Sequence, residues 1–431
     1  MKKILIIDKF NPQDIAMLQA IYSRSSESVT DHIKKVEKTG SGKFMEKFYV
    51  GYGHASIADC GSTTIFIEGI SILCDKAIQD WPLYSGQETS TRYVDMSKQP
   101  IIDPLGTRES KEVLDKWLEF YINSLPLMES FLTEKHPYQS EEDEKIYQKT
   151  IKAKAFDILR SFLPAGITTQ LSWHTNLRQA YDKLCWLRHN PLKEIKETAE
   201  KIKSLLKEKY PQSFSHSLIK EQEDYRKKVS EQHYYYQPKS LISDFSFKTN
   251  IKKEELIGEY KEIIENRPPK TCLPNFLTEL GTITFDFLLD FGSFRDIQRH
   301  RHGVCRMPLL TDEFGFNSWY LEELTPNLRE KAEKLILEQK KAIKKLITCP
   351  EEKQYYIPLG FNVPCRVTYG LPATVYVIEL RSGQMVHPTL RRIALKMRQV
   401  LLNEFPDLVL HCDLSETKFN IARGQQDIIE K

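Results

Sequence analysis

The apolar positions open with a short run, Ile4-Leu5-Ile6-Ile7, that predicts a buried strand. After Asn11-Pro12, Ile15, Leu18 and Ile21-Tyr22 recur at helical spacing. Residues 56–78 are densely apolar and broken only by Gly61 and Gly69. Periodicity does not separate buried helix from buried strand there, and the stretch is read as helix. Residues 108–135 and 142–160 set Leu, Phe, Ile and Tyr at i, i+3, i+4 among charges, as amphipathic helices do, and residues 192–209, rich in Lys and Glu, read likewise. From about residue 210 to 270 the chain turns polar. The tract 231–238 with its triple Tyr234-Tyr235-Tyr236, and later Arg267-Pro268-Pro269-Lys270, act as breakers. A linker there would divide the chain into domains 1–230 and 231–431. Beyond it lie an apolar stretch at 277–297, a helix near 325–346 and an apolar helix ending in Arg381.

The halves run in the same order. Each has an apolar stretch, a short polar motif, amphipathic helices, an apolar-Pro-x-Gly turn, a helix ending in Leu-Arg and a final charged helix. The turns are Leu163-Pro164-Ala165-Gly166 and Ile357-Pro358-Leu359-Gly360, and the helix ends are Leu187-Arg188 and Leu380-Arg381. The expectation is an internal duplication of one α+β (α/β) domain.

Composition narrows the class to a soluble globular protein: 40% of residues are hydrophobic and 28% charged, and no apolar run approaches the ~20 residues of a membrane span. Ile4 to Ile7 is followed at once by Asp8-Lys9, so no signal-peptide core develops and the expected location is the cytoplasm. Eight scattered cysteines, with no C-x-x-C pair, argue against a disulfide framework or a zinc site. A net charge of +3 is too small to imply nucleic acid, so any anionic partner should be a small molecule.

Two constellations carry chemistry. In Asp296-Ile297-Gln298-Arg299-His300-Arg301-His302-Gly303, cationic groups crowd together and call for an anion such as phosphate; a solvated cluster at a helix end is the plainer alternative. In Ser85-Gly86-Gln87-Glu88-Thr89-Ser90-Thr91-Arg92-Tyr93, hydroxyls, a carboxylate, an amide and a guanidinium would suit a phosphorylated nucleoside, or form an ordinary polar turn. Cys305 is read as structural, not as a nucleophile. Glycine-rich signals are too few and misplaced for a Rossmann fingerprint.

These same residues resemble the flavin-dependent thymidylate synthases, whose Arg-His-Arg-x-x-Ser motif continues into Ser-x-Arg-Tyr. Residues 85–93 resemble the second part. Asp80-Trp81-Pro82 stands where the first part would be, whereas Arg299-His300-Arg301 restores it in the second half, followed by Val304 in place of Ser. Gly53-His54-Ala55-Ser56 resembles the family's flavin-contacting segment. Arg160 and Asn176-Leu177-Arg178 resemble its nucleotide-binding Arg and flavin-binding Asn-x-Arg, positions held in the second half by Gln354 and Gly370-Leu371-Pro372. Arg381 falls at the spacing of a further nucleotide-binding Arg, from which Arg188 is displaced by one residue.

The resemblance implies two tandem, diverged family domains with helices packed on mostly antiparallel sheets, sharing one set of active-site residues. It implies reductive methylation of dUMP, with methylene-tetrahydrofolate giving the carbon and NADPH reducing FAD, and no protein nucleophile. Flavin would fall to His54, Ser56, Glu88, Asn176, Arg178, Arg299, His300 and Arg301, and the nucleotide to Ser90, Arg92, Arg160, Arg299 and Arg381. Arg92, Arg299 and Arg381 would polarise the reacting pyrimidine. Because the family's sites lie between subunits of a homotetramer, a fused chain is expected to form a homodimer. The competing expectation is a flavin enzyme on another pyrimidine nucleotide, or a non-catalytic nucleotide- or flavin-binding relative.

Overall fold

The computed structural model describes residues 4–141, 143–233, 245–416 and 419–426. The triple tyrosine and residues 234–244 of the expected linker lie outside them. The chain packs into two compact units. The first comprises Met1–Ile70, Cys74–Glu88 and Gln170–Tyr234, and the second Ser71–Leu73, Thr89–Thr169 and Tyr235–Lys431. Packing therefore follows a different division from the sequence halves 1–230 and 231–431. The reason lies in the helices Arg108–Lys135 and Glu144–Leu159: they pack on each other, and the first also packs on helix Pro326–Lys345 of the second half. Gln339, 1% exposed, donates to the Val113 carbonyl at 2.7 Å in that packing.

In the first unit, helix Pro12–Tyr22 begins where the sequence indicates. Asn11 accepts from the amides of Gln13 and Asp14, and proline occupies the first turn, where no backbone donor is missed. Met17 and Leu18 pack on Val36 of helix Val29–Thr39. The expected strand at Ile4–Ile7 does not form. Ile4 and Ile6 are 88% and 93% exposed, and only Ile7 reaches this small core, because no strand pairs with the run. The helix expected over 56–78 is also corrected: it is helix Ala55–Asp59, strand β1 (Ser62–Ser71) and helix Ile72–Gln79. Thr63, Thr64, Ile65 and Ile67 are stiff at χ1 and favour the extended chain. With β2 (Ser85–Glu88) and β3 (Thr168–Asn176), β1 forms a sheet in the order β1-β3-β2, in which β2 runs antiparallel to β3.

The second unit holds the sheet β4-β5-β7-β6, built from β4 (Phe245–Thr249), β5 (Thr282–Asp290), β6 (Gly303–Arg306) and β7 (Asn362–Gly370), with antiparallel pairings throughout. On β5, Ile283, Phe285, Phe287 and Leu289 alternate into the core, while Asp286 pairs across the sheet with Arg366 of β7 at 2.7 Å. Helix Pro388–Glu404 packs on β5 and on helix Leu371–Arg381. The described residues of the polar stretch 210–270 include helix Lys220–His233, β4 and helix Lys253–Glu265, more regular structure than the composition indicates. The architecture is α+β.

The element order recurs. The strand, helix, strand series of β1, Ile72–Gln79 and β2 matches β5, Phe291–Ile297 and β6. The 3-10 turn Arg160–Phe162, β3 and helices Leu177–Leu187 and Lys193–Lys209 match Gln354–Tyr356, β7, Leu371–Arg381 and Pro388–Glu404. Within the second unit the two Pro-x-Gly turns pair reciprocally. Ala165 donates to the Ile357 carbonyl and Leu359 to the Leu163 carbonyl, both at 2.9 Å, while Gly166 donates to Tyr355 at 3.0 Å and Gly360 to Ser161 at 2.8 Å. Each bond has its counterpart in the other turn, as in an isologous contact between two copies of one structure.

Candidate functional site

The site builds from the second unit. Helix Glu144–Leu159 and the 3-10 turn after it place Asp157 and Arg160 three residues apart. Beyond β2, the Arg92 amide donates to Ser90 Oγ at 3.2 Å, and the Arg92 guanidinium forms a two-pronged ion pair with Asp157, Nε to Oδ1 at 2.7 Å and Nη2 to Oδ2 at 3.1 Å. Nη2 also donates to the Met385 carbonyl at 3.2 Å. Arg423 pairs with Asp157 Oδ2 as well. Burial opposes the charge of Asp157, yet Arg423 and Arg92 hold its carboxyl well below the usual range. Burial likewise opposes the charge on Arg92, but Asp157 first and then Asp296 raise its pKa.

The second half brings in the other cations. Asp290 caps helix Phe291–Ile297 by accepting from the Ser293 amide at 2.8 Å. The helix carries Asp296, and Arg299, His300 and Arg301 follow where it has unwound. Arg381, at the end of its own helix, donates from Nη2 to the Asp296 carbonyl at 2.6 Å and from Nε to His300 Nε2 at 2.8 Å. Arg299 approaches the Asp296 carboxylate at 3.9 Å. Burial opposes ionisation of Asp296, but Arg299, Arg381, Arg92 and Arg160, in that order, lower its pKa. Four guanidiniums contributed by both halves of the sequence thus act on one carboxylate. The excess of positive charge suits a phosphate-bearing ligand.

Behind Arg160 lies a buried polar network. Arg160, 2% exposed, donates to Ser293 Oγ at 3.2 Å, and its Nε is buried without a hydrogen-bond partner among the described residues. Ser293 Oγ lies 2.8 Å from Thr389 Oγ1 and 3.2 Å from His387 Nδ1, and Tyr320 donates to Asp290 at 2.8 Å. Burial and then Arg160 push the His387 imidazole well below its ordinary pKa, so it stays neutral.

Of the expected site residues, Ser90, Arg92, Arg160, Arg299, His300, Arg301 and Arg381 all lie in the second unit. His54, Ser56, Glu88, Asn176 and Arg178 lie in the first. There Asn176 caps helix Leu177–Leu187 through the Gln179 amide at 2.8 Å, and Arg178 pairs with Asp59 at 2.7 Å. Glu88 accepts from Gln79, and His54 Nδ1 is buried without a hydrogen-bond partner among the described residues. Sequence reasoning missed Asp157, Ser293, His387 and Arg423. For Asp157 the signal was available, a carboxylate one helical turn before Arg160. Arg423 has no local signal. Cys305 stands in β6 opposite Val367 of β7.

These features define an α+β protein with an arginine cluster suited to a small phosphorylated ligand. A family profile described as thymidylate synthase complementing protein matches residues 5–212, about half of the chain. Over that span the chain is similar to this family, and the resemblance read from its motifs is borne out. Along nearly its whole length the chain is similar to UPF0159 proteins. That of Thermoplasma acidophilum is 24% identical, over 92% of this chain and 94% of that protein, and that of Chlamydia muridarum is 24% identical over 93% and 86%. A UPF0159 protein of Chlamydia pneumoniae is 25% identical over 81% and 76%. Among solved structures, the flavin-dependent thymidylate synthase ThyX of Helicobacter pylori, complexed with FAD and dUMP, aligns over 47% of this chain and 94% of its own, at 17% identity and a TM-score of 0.30. No helix among the described residues is long and apolar enough to cross a membrane.

Proposed function

We propose that the chain is a flavin-dependent thymidylate synthase acting on dUMP, with FAD as cofactor and methylene-tetrahydrofolate and NADPH as co-substrates. The observation that carries this reading is that arginines of both halves meet in one cluster: Arg92 and Arg160 of the first half donate to the Met385 carbonyl and Ser293 Oγ of the second, where Arg299 and Arg381 gather at Asp296. Neither half contains all four residues. The arrangement suits the nucleotide: Ser90, Arg92 and Arg160 face a dianionic phosphate, while Arg299 and Arg381 polarise the pyrimidine carbonyls. A neutral His300 between Arg299 and Arg301 offers a flat, donor-bearing surface beside two cations, which fits the pyrophosphate and ring of FAD. When bound, the flavin supplies hydride. The protein's own share is to bind, orient and keep water away. On this reading the two halves descend from one family domain and the working oligomer is a homodimer.

The experiment is growth of a thymidine-requiring bacterial strain supplied with this chain, beside the absorbance of the purified protein. Yellow protein and growth without thymidine are expected. Yellow protein without growth would leave a flavin enzyme of another pyrimidine, and colourless protein without growth would remove the reading.

A further inference from the structure

The segment Ile421–Gln426 belongs to none of the motifs above, yet it reaches the arginine cluster. It forms a 3-10 turn seated on helix Glu144–Leu159. Thr150 Oγ1 donates to the Ile421 carbonyl at 2.9 Å, the Gly424 amide donates to Thr150 Oγ1 at 3.0 Å, and Arg423 Nη2 donates to the Ala153 carbonyl at 3.3 Å. A Cβ at position 424 would stand 2.3 Å from the Ile146 carbonyl oxygen, so the seat is shaped for glycine. From it Arg423 extends to Asp157 Oδ2 and lies over the Tyr93 ring, 5.5 Å from its centroid. It also lines a cleft of about 330 Å³ together with Asp157, Met385, Trp319 and Phe419.

A doubly bonded Arg92–Asp157 pair by itself is electrically neutral and would attract a phosphate dianion weakly. A second guanidinium on the same carboxylate changes the sum to +1, because Asp157 divides its charge between two partners. We propose that Arg423 is a positioning residue of the nucleotide site: by sharing Asp157 with Arg92, it fixes that carboxylate and leaves Arg92 electropositive towards phosphate. The inference rests on the reading of Arg92 as a phosphate ligand. Burial alone would resist the ionised carboxylate, and the two arginines overcome it.

The test is calorimetric titration of the full chain with dUMP and, separately, with inorganic phosphate. The proteins are the wild type, Arg423→Ala, Arg423→Lys and the double variant Arg423→Ala/Asp157→Asn, each checked for its melting temperature. Arg423→Ala should weaken both ligands about tenfold, in line with the loss of one charge-assisted interaction. Arg423→Lys, which keeps the charge, should lose less. The double variant, restored to +1, should recover to within about threefold of the wild type. A merely structural role for the segment would not be rescued by Asp157→Asn, so absence of rescue overturns the proposal. So does unchanged phosphate affinity in a folded Arg423→Ala protein, so does an Arg423→Lys protein that loses as much affinity as Arg423→Ala, and so does a wild type that binds neither ligand. A wild type that binds inorganic phosphate but not dUMP would defeat the nucleotide reading, and the phosphate series would still decide the role of Arg423.

Discussion

Arg381 donates from Nε to His300 Nε2 at 2.8 Å, a contact that requires the imidazole to be neutral, with its proton on Nδ1. Burial, and then Arg381 itself, lower the His300 pKa to about 3 from an ordinary 6.5. Between these values the unfolded chain takes up a proton that the native chain refuses. Stability therefore rises with pH across that window, and above 6.5 His300 adds no further slope. Urea unfolding of the wild type and His300→Gln at several pH values from 4 to 7.5 checks this. The variant should lose less stability on acidification, and parallel curves would refute the assignment.

The flavin and nucleotide roles should separate. Arg301→Ala is expected to lower the FAD carried by the purified protein, since one charge-assisted contact is worth about 1.5–3 kcal/mol, tenfold or more in affinity, while dUMP binding is less affected. Arg92→Ala should do the reverse. Flavin absorbance per protein and calorimetric titration read the two out, and a variant that changes both equally would show that the sites do not divide this way.

Ser293 is fully buried and joins Arg160, His387 and Thr389. Ser293→Ala should cost about 1–3 kcal/mol, because it leaves buried polar groups without a partner. Chemical denaturation measures it. A loss below about 0.5 kcal/mol would mean that the network is not held through this hydroxyl.

The paired turns leave no room for a side chain at either glycine. A Cβ on Gly166 would stand 2.7 Å from the Ile102 carbonyl oxygen and 3.0 Å from that of Tyr355, while one on Gly360 would meet the Phe316 ring at 2.4 Å and Ser161 Cβ at 2.8 Å. Both alanine substitutions should destabilise by about 1–3 kcal/mol through overpacking. Gly166→Ala should be the worse, since its obstacles include two backbone carbonyls, whereas a ring can turn. Melting temperatures that rank the two the other way would contradict this.

The amphipathic helices 108–135, 142–160, 192–209 and 325–346 and the Asn11-Pro12 start were legible in the sequence, because apolar spacing and capping chemistry act over one or two turns. The motifs 85–93 and 296–303 stood out as local clusters of polar and cationic side chains, whereas Arg160 and Arg381 were singled out only by the resemblance to the family. What failed was what depends on neighbours. Ile4–Ile7 has the composition of a strand but no strand beside it, and residues 56–78 hide a strand whose hydrogen bonds are made with β3, far along the chain. Tertiary structure alone decided that residues 89–169 pack with the second half, that Arg92 is paired to Asp157, and that Arg423 joins them. Spacing along a helix fixes which side chains share a face. Which carboxylate neutralises which guanidinium depends on distances set only when remote segments pack, and the strength of each pair depends on how much water that packing removes.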